Sequence, residues 1–171
     1  MLFKDFNFLN NAITDNQRNF IEEFSGRFEH CDFPSIDTDK VKITNEIDKK
    51  DTYLNVSLPH KTEKGFNLSI AMNDKEIIVF FANSHNHFEQ FSDGDEWIKE
   101  AVNFISLMLQ GRFEVQTFYR DNKIFKEKIF YINDNGEQEL ISSTGYFNIA
   151  FFNPFIKVRQ EVKRISFIES N

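Results

Sequence analysis

The sequence predicts an α+β fold, a mostly antiparallel β-sheet with two or three helices packed on one face. Three observations predict it. Trp97, Ala101, Phe104, Ile105, Met108 and Leu109 form one apolar stripe at helical spacing over residues 96–110. Between residues 41 and 81, and again between 113 and 132, apolar residues alternate with polar ones or run together between turn signals, as strands do. The order is helix, several strands, helix, several strands and a final mixed segment, which is an α+β order. With 171 residues and 40% hydrophobic content, the chain suits a single domain over residues 1–171.

Each element has its own signal. Phe3, Phe6, Asn10, Ile13, Gln17, Phe20, Ile21 and Phe24 follow the 3.6-residue period and predict a helix over 3–25. A break near Thr14 fits Asp15 as the cap of a second segment, and Gly26 supplies a stop. Residues 30–40, with Pro34 and several Asp, read as a loop. Val41, Ile43 and Ile47 alternate with polar residues; residues 48–51 make a charged turn, and residues 53–58 alternate again. A polar connection over 59–65 leads to Phe66, Leu68 and Ile70, then to a tight turn at Asn73-Asp74. Residues 77–81 are a continuous apolar β-prone run, which predicts the central strand. Residues 83–95 are polar, with Gly94, and read as a connection. Asp95 fits an N-cap for the helix over 96–110, and Gly111 follows its last turn. Residues 113–119 and 124–132 predict a long hairpin around Asp121-Asn122, with a second turn over 133–136 and a short strand at Leu140 and Ile141. Residues 146–152 are apolar and expected to be buried. Asn153-Pro154 resembles an N-cap and first helical residue. Phe155, Val158, Val162 and Ile165 fit a helical stripe and residues 165–168 fit a strand, so periodicity leaves 155–168 open between the two.

Composition narrows the functional classes. Net charge is −7, which repels phosphate backbones and anionic membranes and argues against nucleic acid or a bilayer as partner. The charge is uneven. Residues 51–111 carry 4 basic and 9 acidic groups, against 9 and 8 in residues 112–171, so a basic partner finds its docking place in the middle third. A lone Cys31 cannot form an internal disulfide, which suits a reducing compartment. The first eight residues mix an acid and an Asn with apolar residues, unlike a signal peptide, and no run approaches a membrane span. A cytoplasmic location is the expectation.

The 22 Phe supply packing and stacking surface but no proton, nucleophile or metal bond. His30-Cys31 and Ser84-His85 are adjacent pairs that point opposite ways in an extended chain, so neither is a ready dyad. The six Gly residues are scattered and form no phosphate-cradling loop. No enzyme activity and no cofactor are therefore expected. The sharpest local cluster is His85 and His87, two apart, with Glu89 in the same register and Asp93 and Asp95 after it. In a strand both imidazoles share a face, and two His with a carboxylate are a metal-ligand set. Across residues 85–100, Phe88, Phe91 and Trp97 stand among Glu89, Asp93, Asp95, Glu96 and Glu100, with Lys99 alone opposing. Aromatic anchors ringed by charge of one sign are a protein-contact pattern. Trp97 belongs to the helix stripe and is assigned to the core. The expected contact residues are Phe88, Glu89, Phe91, Asp93, Asp95, Glu96 and Glu100. Lys157, Arg159, Lys163 and Arg164 are expected on the solvated face of the last element.

Residues 77–119 hold an apolar strand, a loop reading His85-Asn86-His87-Phe88, a helix with Trp97 and a strand reaching Tyr119, with Arg120 next. This stretch, about a quarter of the chain, resembles bacterial immunity proteins that neutralise toxin domains in contact-dependent growth inhibition and related polymorphic-toxin systems. The resemblance carries no binding residues over. It implies one-to-one binding to a cognate toxin domain, often a basic nuclease, that blocks its active site. Two other expectations stand beside it: a metal-dependent enzyme using His85 and His87 with an acid, and a structural adaptor subunit of a larger assembly.

Overall fold

A computed structural model describes residues 13–31, 33–48, 51–62, 67–91, 94–120, 122–145 and 157–166. Its first helix, α1 (Asp15–Phe28), starts at a capping box. Thr14 Oγ1 accepts from the Gln17 amide at 3.3 Å, and Gln17 Oε1 accepts from the Thr14 amide at 3.1 Å. Thr14 is therefore the cap, not Asp15. Gly26 does not stop the helix: it lies inside α1, where an added Cβ would meet nothing within 4 Å. A solvent-facing Gly weakens a helix by about 1 kcal/mol and need not end it. The expected helix over residues 3–12 lies outside the described residues.

Phe20, Phe24 and Phe28 repeat every four residues and form one buried stripe. Their rings meet at 5.4 and 4.8 Å, and Phe33 continues the row at 5.5 Å from Phe28. After a 3-10 turn at Thr38–Lys40, five strands follow as a meander: β1 (Lys42–Asp48), β2 (Asp51–Leu58), β3 (Leu68–Met72), β4 (Glu76–Phe81) and β5 (Ser84–Glu89). They pair antiparallel in sequence order. Leu54, Val56, Leu58, Leu68, Ile70, Met72, Ile77, Val79 and Phe81 occupy the inner face, as period-2 alternation requires. Gln17 ties α1 to this sheet: its Nε2 donates to the Thr52 carbonyl at 2.7 Å and to the Met72 carbonyl at 3.2 Å.

Helix α2 (Glu96–Gln110) buries Trp97, Ile98, Ala101, Val102, Ile105, Met108 and Leu109 and packs beside α1. It ends at Gly111, whose N–H donates to the Leu107 carbonyl at 2.8 Å. A Cβ there would lie 2.6 Å from both that oxygen and the Phe113 ring, so the tight exit into the next strand needs glycine. A second antiparallel sheet follows, built from β6 (Arg112–Arg120), β7 (Lys123–Ile132), β8 (Gln138–Gly145) and β9 (Val158–Ser166), in the order β8-β7-β6-β9. Phe113, Val115, Ile129 and Ile165 join the same core, with Phe113 edge-on to Phe81 at 5.6 Å.

Among the described residues the protein is thus α+β, with two helices and two antiparallel sheets. Residues 77–81 are not the central strand: β3 takes that place, and β4 buries only alternate residues. Residues 84–89, expected in a connection, are a strand. The open segment resolves over 158–166 as strand β9, paired with β6 along nine residues; residues 146–156 lie outside the described residues. No helix among the described residues is long and apolar enough to cross a membrane.

Two outcomes follow. Gln17→Ala leaves the Thr52 and Met72 carbonyls without this donor and removes half of the capping box. It is expected to lower unfolding free energy by about 2 kcal/mol in urea titrations, against about 0.5 kcal/mol or less for the exposed neighbour Arg18→Ala. In the second sheet, the Gln116 amide donates to buried Glu114 at 2.9 Å, and the Arg164 guanidinium adds a contact at 3.3 Å. These partners, Gln116 foremost, hold the Glu114 carboxyl below its usual range against the effect of burial. A depressed folded value stabilises above the unfolded value, near 4.3 for Glu, and is lost as pH falls through the folded one. Glu114→Gln is expected to flatten the acid limb of the stability–pH curve below about pH 4.3 and leave its alkaline limb unchanged.

Candidate functional site

The β4–β5 hairpin and the start of α2 carry most of the expected contact residues. Phe81 pairs with Ser84 across the hairpin, leaving Ala82 and Asn83 as its turn. Ala82 sits at φ 55, a left-handed conformation that costs a non-glycine residue about 1 kcal/mol. Glu127 of β7 holds this turn from the other sheet. Its fully buried carboxylate accepts from the Asn83 amide at 3.1 Å, from Asn83 Nδ2 at 2.8 Å and from Thr117 Oγ1 at 3.3 Å. Ser84 Oγ lies 3.5 Å away and is shared with Thr144 Oγ1 at 2.8 Å. The β4–β5 turn is therefore fixed against the second sheet by a desolvated, hydrogen-bonded charge.

From this anchor, alternation sorts the residues of β5. His85, His87 and Glu89 are exposed on the outer face of the first sheet, while Phe88 turns inward and rests 5.6 Å from Phe104 of α2. Phe88 is thus half-buried against the core and positions the strand. Phe91, just beyond the strand, is the opposite case: its side chain is 89% exposed. Asp93 lies outside the described residues. Asp95 occupies the N-cap position of α2, where its carbonyl accepts from the Ile98 and Lys99 amides at 3.1 Å. Its side chain makes no cap bond and instead accepts from Asn19 Nδ2 at 3.4 Å. Glu96 and Glu100 are exposed on α2, and Trp97 is buried. Asp95 and Glu96 stand at the positive end of the helix dipole, which stabilises acids there.

The structure adds residues that the sequence concealed. Phe80, in the apolar run of β4, is 40% exposed on the outer face and lies 5.8 Å from the His85 ring. His85 in turn meets His87 edge-on at 4.9 Å. Lys42, Ser57, Ser69 and Phe80 follow one another across the strands, and Thr44, Asn55 and Ala71 form the next row. Thr44, Asn55, Ser57, Ser69 and Ala71 floor an open groove of about 240 Å³ that Lys42 and Phe80 also line. Glu76 of β4 stands opposite Glu89, and its Oε1 lies 2.5 Å from His87 Nδ1. A carboxylate only accepts, so Nδ1 carries the proton in that pair. Glu76, His87 and Glu89 are the donor set among the described residues that can hold a cation. The β4–β5 register would have exposed Glu76, but the polar run of β5 hid the strand itself.

Glu127→Gln replaces one acceptor oxygen by a donor facing donors. It is expected to cost about 1–3 kcal/mol in chemical denaturation, and the Asn83 amide should exchange faster with solvent. Unchanged stability and exchange would mean that the carboxylate does not anchor the turn. Comparison of this chain with protein-family models, with curated proteins and with solved structures returns no match, so the side chains of this surface carry the functional argument alone.

Proposed function

We propose that this chain is an immunity-type protein that binds a cognate basic toxin domain and neutralises it by covering its working surface. The contact face in this reading is the end of β5 and the start of α2. One observation carries it: Phe91, 89% exposed, stands between exposed Glu89 on one side and exposed Asp95, Glu96 and Glu100 on the other along the chain. Burying a Phe side chain is worth about 1.5–3 kcal/mol, which a partner's pocket can supply and water cannot. The carboxylates steer a basic partner at long range and accept bidentate Arg bonds at short range. A net charge of −7 acts in the same direction. Among the described residues β5 is the last strand of its sheet, so its outer backbone edge can add main-chain hydrogen bonds to an extended segment of the partner.

Co-expression with a toxin domain encoded immediately upstream is expected to rescue growth. Phe91→Ala should weaken the purified complex by about 2 kcal/mol, roughly 30-fold, in calorimetry. Joint charge reversal of Asp95 and Glu96 should slow association more than it speeds dissociation, and the difference should shrink as salt rises. Phe88→Ala, by contrast, should act through stability. Unaltered affinity in both surface variants would remove this face from the interface.

A further inference from the structure

The outer face of the β4–β5 hairpin holds a second kind of chemistry. Cross-strand pairing sets Glu76 directly opposite Glu89, and the two-residue period places His87 on the same face. His87 is paired with Ile78, so it stands diagonal to Glu76, which its Nδ1 meets at 2.5 Å. Like charges directly opposite on neighbouring strands destabilise the pair. Glu76 is offset by His87, while the Glu89 carboxylate has no hydrogen bond or ion pair among the described residues. Lys75 and Lys99, the nearest lysines in sequence, pair with neither acid.

We propose that Glu76, His87 and Glu89 form a binding site for a divalent transition-metal cation of the zinc class, bridging β4 and β5. One ligand atom from each residue lies within 4.8 Å of the others. Tetrahedral bonds of 2.0–2.2 Å set donors about 3.4 Å apart, so the wider separations close by roughly 1 Å while the His87–Glu76 pair, at 2.5 Å, opens by about as much. His87 and Glu89 are exposed and Glu76 is half-buried, which leaves them free to rotate that far. One imidazole and two carboxylates suit borderline first-row ions, whereas Mg²⁺ and Ca²⁺ prefer an all-oxygen shell. Bound at Nδ1, the ion takes the place of that proton, which the neutral ring then carries on Nε2, and it cancels the repulsion between the two glutamates. Three protein donors leave one position facing outward for water. His85, edge-on to His87 and beside Phe80, is a positioning residue that holds the ligand ring in place. The site does not depend on the toxin-binding reading, and either can fail alone.

The test is calorimetric titration of the purified, EDTA-treated and dialysed protein with Zn²⁺, with Mg²⁺ as the contrast. The expected result is a one-to-one Zn²⁺ isotherm with no Mg²⁺ counterpart. Affinity should fall tenfold or more in both His87→Ala and Glu89→Gln, and stay within about twofold in His60→Ala. Zn²⁺ should also raise the thermal midpoint of the unaltered protein but not that of His87→Ala. Absence of a one-to-one isotherm, or one untouched by the exposed substitution Glu89→Gln, would overturn the proposal. Glu89→Gln decides the matter alone if His87→Ala fails to fold.

Discussion

The carboxylate of Glu127 is the interaction on which the placement of the outer-face residues of β4 and β5 depends. It is fully buried, and it meets the turn of the β4–β5 hairpin with donors from Asn83 on one sheet and Thr117 on the other. A desolvated charge is tolerated only where such donors converge, and removing them leaves it uncompensated. That asymmetry gives the contact its specificity. The hairpin cannot slip by a residue without stranding Glu127, and a one-residue slip would move His85, His87 and Glu89 to the inner face. The left-handed Ala82 is held in the same way, its local cost offset by the bonds that Asn83 makes next to it.

Packing on the other side of the first sheet explains why its outer face is available. The phenylalanines of α1 and the apolar stripe of α2 cover the inner residues of β2, β3 and β4. The outer rows carry mostly Ser, Thr, Asn and Ala, which need no cover, with Phe80 and Ile78 as apolar exceptions beside the histidines. The surface therefore grades from a small-residue groove, through an aromatic and imidazole strip, to the acids and Phe91 at the start of α2. A partner with basic and apolar groups and a divalent cation would use neighbouring parts of this gradient, with the Glu89 carboxylate common to both.

Much of the architecture was legible where one period dominates. The stripe of α2 and the β6–β7 hairpin follow directly from residue spacing, because each element buries one face against one neighbour. Other elements were hidden for physical reasons. Ser84, His85, Asn86 and His87 have little β-propensity, and their strand state comes from pairing with β4. Val158, Val162 and Ile165 mimic a helical stripe, yet in β9 the two valines are exposed and Ile165 is buried, as pairing with β6 dictates. The run over 77–81 looked buried on both faces because sequence does not show that only one face is covered. Within the expected contact set, Phe91, Glu89, Asp95, Glu96 and Glu100 are exposed, whereas Phe88 faces inward. Glu76 and Glu127 stand 11 and 44 residues from their partners, a separation that no local pattern encodes.

The most direct measurement is a hydrogen–deuterium exchange footprint of the complex that the proposed role calls for, between this protein and a basic toxin domain. The account predicts slowed exchange in the amides of residues 84–91 and 94–100, with β8 and β9 unchanged. Protection confined to β8 and β9, with residues 84–100 exchanging as in the free protein, would contradict it.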